Sequence, residues 1–129
     1  MAASDARRAL ALHGVPFRPQ GRDRSGLDCV GLCLAAYRIP ADVVRRDYRI
    51  RGDHEDEVMA SLLGWFRPIG ESEPRAGDLL LLAVAADQLH LAVRTENGFV
   101  HADARLRRVV HTPGDPPWPL IAVYRRRRK

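Results

Sequence analysis

The chain has only two cysteines among 129 residues, Cys29 and Cys33. They lie one helical turn apart, where a disulfide would strain the helix, so no disulfide framework is expected. Cys29, Cys33, His90 and His101 could in principle supply four zinc ligands. A Cys-x3-Cys pair inside a helix fits neither the usual knuckle nor the usual His spacing, so no metal and no other cofactor is expected. No apolar run reaches membrane length, which argues against membrane insertion. Met1 to Arg8 mixes acid and base with no apolar stretch, so no signal peptide is expected and synthesis belongs to the cytoplasm. A basic surface is also missing. The net charge is +5, but Arg125 to Lys129 carry five positive charges, and outside them 16 basic residues balance 16 acidic ones. The body is therefore not a nucleic-acid binder, and no specific nucleic-acid partner is expected. There is no internal repeat, linker or second domain.

What is present suits one domain with a hydrophobic core: 46% of residues are hydrophobic and 29% charged. Residues 1–124 read as that domain and residues 125–129 as a solvated basic tail. The organising stretch is Gly26 to Leu34. Asp28 can cap a helix by accepting free N–H groups of the first turn. Cys29 then occupies the first helical position, where the macrodipole favours a thiolate. Val30, Leu32, Leu34, Ala35 and Ala36 leave the helix almost no polar side, so it should be central and buried. Two readings fit: a core helix with an inert cysteine, or a nucleophile held at a helix tip. Cys33, one turn on, reads as a small buried apolar residue.

In chain order, Asp5 to Leu12 reads as a short helix stopped by His13-Gly14 and Pro16. Phe17 to Ser25 reads as a polar loop, and the Cys29 helix as running to about Tyr37. Residues 41–52 are irregular, anchored by Tyr48, and His54 to Phe66 reads as another helix. From Arg67 the periodicity changes from helical to two. Strands are expected over Leu79–Val84, Leu89–Arg94, Phe99–Asp103, Arg107–His111 and Leu120–Tyr124. Helices followed by a meander of strands predict an α+β domain with an antiparallel sheet of about five strands. His13, His54 and His111 read as structural or exposed.

His90 and Ala92 share one strand face, and His101 shares a face with Phe99 and Asp103. The short Asn97-Gly98 connection predicts a hairpin. A two-residue Asn97-Gly98 turn would set His101 opposite Arg94. A four-residue loop, Arg94 to Asn97, would set His90 opposite His101 with Cα atoms ~4.5–5.5 Å apart. With Cys29, the two histidines would form a nucleophile, base and orienter set.

Four segments in order carry a resemblance: Asp28-Cys29-Val30-Gly31-Leu32, Pro74-Arg75-Ala76-Gly77-Asp78-Leu79-Leu80-Leu81, His90-Leu91-Ala92-Val93 and Phe99-Val100-His101-Ala102. Together they resemble the NlpC-type cysteine peptidases that cut the peptide stems of bacterial cell walls. Gly14-Val15-Pro16-Phe17 and Gly21-Arg22-Asp23-Arg24 look most like the small forms from phage tails and gene transfer particles. The resemblance spans roughly Leu12 to Tyr124. It implies a circularly rearranged papain-like α+β fold, with the nucleophile helix packed on an antiparallel sheet. It implies Cys29 as nucleophile, His90 as base and His101 as the orienting residue, with Asp28 a cap that could also face a substrate amine. It further implies peptidoglycan peptides as substrate, cleaved at the D-γ-glutamyl to diaminopimelate bond, other tail or particle proteins as partners, and action at the periplasm or cell wall. The chain departs from the family pattern at Val30 (often Ser), Ala92 (usually Gly) and Phe17 (often Tyr). A related amidase or acyl transferase, or an inactive structural tail protein on the same fold, are the competing readings.

Overall fold

The computed structural model of the protein describes residues 2–44, 60–62, 64–70, 73–85 and 88–127. Helix α1 spans Ala2–Ala11, and the Cys29 helix, α2, spans Cys29–Ala36. Between them the expected loop contains a small hairpin, β1 (Arg22–Asp23) and β2 (Gly26–Leu27). The rest of the chain supplies β3 (Phe66–Pro68), β4 (Leu79–Ala85), β5 (Gln88–Arg94), β6 (Gly98–Asp103), β7 (Arg108–Pro113) and β8 (Leu120–Arg126). The last six form one antiparallel sheet in the order β3-β8-β4-β5-β6-β7. Strands β4 to β7 are the expected meander, and β8 returns to the far side of β4.

The sheet has an inner and an outer face, because side chains alternate along each strand. Leu79, Leu81, Leu91, Val93, Val100, Ala102 and Val109 point inward and pack with Val30, Leu32, Cys33, Leu34 and Ala36 of α2. α2 is buried on nearly every side, so it behaves as a core element, as its lack of a polar face predicts. Tyr37 and Phe66 meet edge to face, with ring centroids 4.9 Å apart, and the Tyr37 hydroxyl donates to the Gly77 carbonyl at 2.8 Å. Leu80, Leu82, Ala92, Phe99 and Val123 form a smaller outer cluster, against which Trp118 packs.

Three expectations change. Residues 54–59 of the expected helix, and Tyr48, lie outside the described residues; 60–62 are helical, but Phe66 already begins β3. Its apolar residues have helical spacing, yet Phe66 pairs with Arg126 across the sheet edge. The sheet has six strands rather than five, because three residues are too few to show a period. The domain also does not end at Tyr124. Arg125 grips the fully buried Asp78 with two hydrogen bonds of 2.9 Å. Arg126 donates to the Tyr37 carbonyl and lies over the Trp65 ring. These two arginines read as tail because charge suggests solvent, but each has a partner on the fold.

Candidate active site

Asp28 is extended and its carboxylate accepts the Gly31 N–H at 2.8 Å, the cap expected at the start of α2. Its other oxygen accepts the Gln20 N–H at 2.8 Å, and the Arg22 guanidinium lies 3.5 Å away. The residue is only 1% exposed. Asp28 therefore ties the β1–β2 hairpin to the helix start. Gly31 belongs to the same joint: a Cβ there would lie 2.0 Å from the Gly21 carbonyl oxygen, so only glycine lets hairpin and helix approach this closely.

Cys29, partly exposed, follows the cap. The backbone N–H groups of Leu91 on β5, and then of Val30 and Cys29 itself, lie close enough to its sulfur to favour the thiolate. The Leu91 contact fixes where the helix tip lies. The Thr95 N–H bonds the Gly98 carbonyl across the turn, and N–H groups alternate in direction along an antiparallel strand. Val93 and Leu91 thus also address β6. Val93 finds Val100 there, but the ladder between β5 and β6 consists of Val93↔Val100 and Arg94↔Phe99. Where Leu91 would continue it, its N–H lies near the sulfur of Cys29 instead. The tip of α2 is inserted at the mouth between the two strands that carry the histidines.

His90 and His101 meet at that mouth on the outer face, with His90 Nε2 and His101 Nδ1 3.0 Å apart. The register is neither alternative considered from sequence. Closure of Thr95 on Gly98 makes Glu96-Asn97 the two-residue turn, which sets the histidines on a diagonal rather than directly opposed. Two imidazoles are long enough to bridge a diagonal, where strand neighbours lie ~7–8 Å apart. The rings stand nearly perpendicular, at 87°. His101 is 3% exposed.

The electrostatics differ from the thiolate expected at the helix start. Burial, and then the adjacent Asp28 carboxylate, push the Cys29 thiol up to about 12. Burial and the neighbouring His101 push His90 down to about 4, against a smaller opposing pull from Asp103. Burial also lowers His101, again opposed by Asp103. A short helix's dipole does not outweigh a carboxylate one residue away plus desolvation. At neutral pH Cys29 is held as a thiol and both imidazoles are neutral. Cys33 is fully buried, and that burial pushes its thiol well above the ordinary value.

The other candidates separate from the site. His13 is exposed after α1. His111 bonds the Thr95 hydroxyl at 2.9 Å. His54 lies outside the described residues. Phe17 packs its ring against the inner core and forms a bridge to Leu27. Val30 is buried. Sequence reasoning passed over Trp118, whose ring centroid lies 6.0 Å from His90 and 5.5 Å from His101. A tryptophan in a proline-rich loop carries no periodic signal. Among the described residues, no group of three or more His, Cys, Asp or Glu could hold a metal, and no helix is long and apolar enough to cross a membrane.

Solved structures share this architecture. NlpC2 from Trichomonas vaginalis superposes with a TM-score of 0.74 at 18% identity, covering 99% of this chain and 47% of that one. This chain thus spans about half the length of that protein. The NlpC/p60 domain of the peptidoglycan hydrolase SagA gives 0.59 at 22% identity, covering 88% and 89% of the two chains. The peptidoglycan hydrolase RipB from Mycobacterium tuberculosis gives 0.57 at 22%, covering 97% and 63%. At these identities the likeness establishes the papain-like fold alone. No curated protein sequence matches the chain. The NlpC/P60 family model matches residues 14–119, a span that holds the capped cysteine and both histidines, and the chain belongs to the NlpC/P60 family.

Proposed function

We propose that this protein is a cysteine peptidase that hydrolyses amide bonds in the peptide stems of bacterial peptidoglycan, at the D-γ-glutamyl to diaminopimelate bond. Family membership and the peptidoglycan hydrolases among its structural neighbours support the substrate class. The observation that carries the chemistry is the His90–His101 hydrogen bond, with the sulfur of Cys29 near the N–H of Leu91, the residue after His90. In this reading Cys29 is the nucleophile, His90 the base and His101 the orienter.

The hydrogen bond between the rings selects a tautomer. When His90 Nε2–H donates to His101 Nδ1, the lone pair of His90 lies on Nδ1 and can take the Cys29 proton. The thiolate attacks the amide carbonyl carbon. The N–H of Cys29, at the helix start, stabilises the oxyanion. The imidazolium of His90 returns the proton to the leaving amine as the C–N bond breaks. Water then adds to the thioester, His90 accepting its proton, and the carboxylic acid leaves Cys29. His101 stays neutral and orients; the nearby Asp103 carries the negative charge that favours transient imidazolium.

Action is at the cell wall, and the Gly14–Phe17 and Gly21–Arg24 segments favour a phage-tail or gene-transfer-particle setting with other particle proteins as partners. The raised Cys29 thiol favours a second reading, an inactive structural tail protein on the same fold. Incubation with purified sacculi, followed by mass spectrometry of released peptides, separates the two. The peptidase reading expects released peptides that begin with diaminopimelate from the wild type, the stub ending at D-glutamate staying on the glycan, and none from Cys29→Ala. Equal release from both proteins, or none from either, contradicts it.

A further inference from the structure

On the outer face of the sheet, among the described residues, the His90–His101 hydrogen bond is covered by one aromatic ring from outside the strands that carry it, that of Trp118. Trp118 meets His90 at 77° and His101 at 68°, edge to face with both, and also meets Phe99 at 74°, with centroids 6.2 Å apart. Phe99 closes the cluster from below, its centroid 5.0 Å from that of His101. The loop bearing Trp118 is fixed at several points. The Gly114 N–H donates to the Asn97 carbonyl at 2.8 Å, and Arg94 pairs with Asp115 at 3.1 Å. The Ala83 N–H donates to the Pro119 carbonyl at 3.0 Å. Pro116, Pro117 and Pro119 restrict the unfolded chain and lower the entropic cost of holding this shape. A stiff arm that presents one large aromatic to two hydrogen-bonded imidazoles is more than sheet cover. We infer that Trp118 is a positioning residue: its indole packs edge to face on both rings, limits the access of water to the His90–His101 hydrogen bond and holds His90 in place.

Among the described residues, the charged groups that act on the pair are few. Asp103 acts on both rings from β6, and the loop's own Asp115 is engaged by Arg94. With the indole removed, water reaches the rings, charged His90 is solvated, and its protonation moves back toward that of an ordinary imidazole. Truncation to alanine should also loosen the ring geometry.

This inference rests on the peptidase reading for its consequence, but its primary test needs no substrate. Histidine ring NMR titrations would be compared in the wild type, Trp118→Ala and Trp118→Phe. The expected result is a His90 midpoint raised at least tenfold in proton affinity in Trp118→Ala, with most of the native value restored in Trp118→Phe. Coincident midpoints in wild type and folded Trp118→Ala would overturn it. Should the alanine variant not fold, Trp65→Phe leaves Trp118 as the only indole, and its fluorescence should fall on acidification with the His90 midpoint. Fluorescence indifferent to that protonation would equally overturn the inference. On sacculi, Trp118→Ala should lower kcat at least tenfold with KM within about threefold. A raised KM at unchanged kcat would instead make Trp118 a substrate contact and refute the positioning role. A shifted midpoint with an inactive wild type would leave the shield standing and defeat only the peptidase reading.

Discussion

Acidification should destabilise the protein through His90 at a pH where carboxylates are still ionised. The folded protein holds His90 at about 4, against an ordinary value of 6.5. As the pH falls, the unfolded chain takes up this proton first, so His90 costs no stability above 6.5 and costs more all the way down to about 4. Each pKa unit corresponds to ~1.4 kcal/mol, so the loss between about pH 7 and pH 5 is ~2 kcal/mol, approaching ~3 kcal/mol near pH 4. That is a sizeable share of a small domain's ~5–15 kcal/mol. His101, lowered in the same direction, adds to the loss, while the buried Asp5, whose carboxyl is raised by burial, opposes it. Urea unfolding across this range, in the wild type and in His90→Gln, isolates the His90 part as the difference in slope. Identical slopes would mean that His90 is not held neutral by its surroundings, and the argument from the buried pair would fail.

Arg125→Ala strips the partner from a fully buried Asp78, and losing one member of such a pair costs ~3–5 kcal/mol; thermal denaturation should show a large fall in Tm, and a shift of a degree or less would put residue 125 back in a tail. Asp28→Ala removes the α2 cap, worth ~0.5–2 kcal/mol, and leaves the buried Arg22 guanidinium short of a carboxylate. Asp28→Asn should keep most of the cap, so chemical denaturation should rank the wild type above Asn and Asn above Ala. In the native protein, iodoacetamide should modify Cys29 slowly at mildly acidic pH and faster as the pH rises, because the resting group is a thiol, and Cys33 should stay unmodified until unfolding. Rapid labelling of Cys29 at about pH 5 would restore the thiolate picture.

Much of the site was legible in sequence because its parts are local. Asp28 before a run of small apolar residues marks a capped, buried helix, and the alternation in Leu89–Arg94 and Phe99–Asp103 marks two strands with His90 and His101 on matching faces. Their register was not legible, because Asn97-Gly98 and Glu96-Asn97 can each make a two-residue turn, and the choice depends on cross-strand packing. The thiol's protonation was misjudged for a related reason: Asp28, recognised as a cap, is also a charge beside Cys29, and burial is a tertiary property. Phe66 pairing with Arg126, and Arg125 reaching Asp78 across 47 positions, are contacts between distant segments. Trp118 could be placed over the histidines only once the loop between β7 and β8 had a path.

The most direct test is single-turnover acylation of Cys29 by a stem-peptide substrate, followed by intact-mass spectrometry as a function of pH in the wild type, His90→Ala and His101→Ala. If His90 is a neutral base held by His101, the wild-type rate stays on its plateau down to about pH 5. Loss of His90 should slow acylation by ~10²–10⁴-fold, and loss of His101 should slow it less. An acyl adduct that forms as fast in His90→Ala as in the wild type, or that forms on Cys33 instead of Cys29, would contradict the assignment of Cys29, His90 and His101 to one catalytic site.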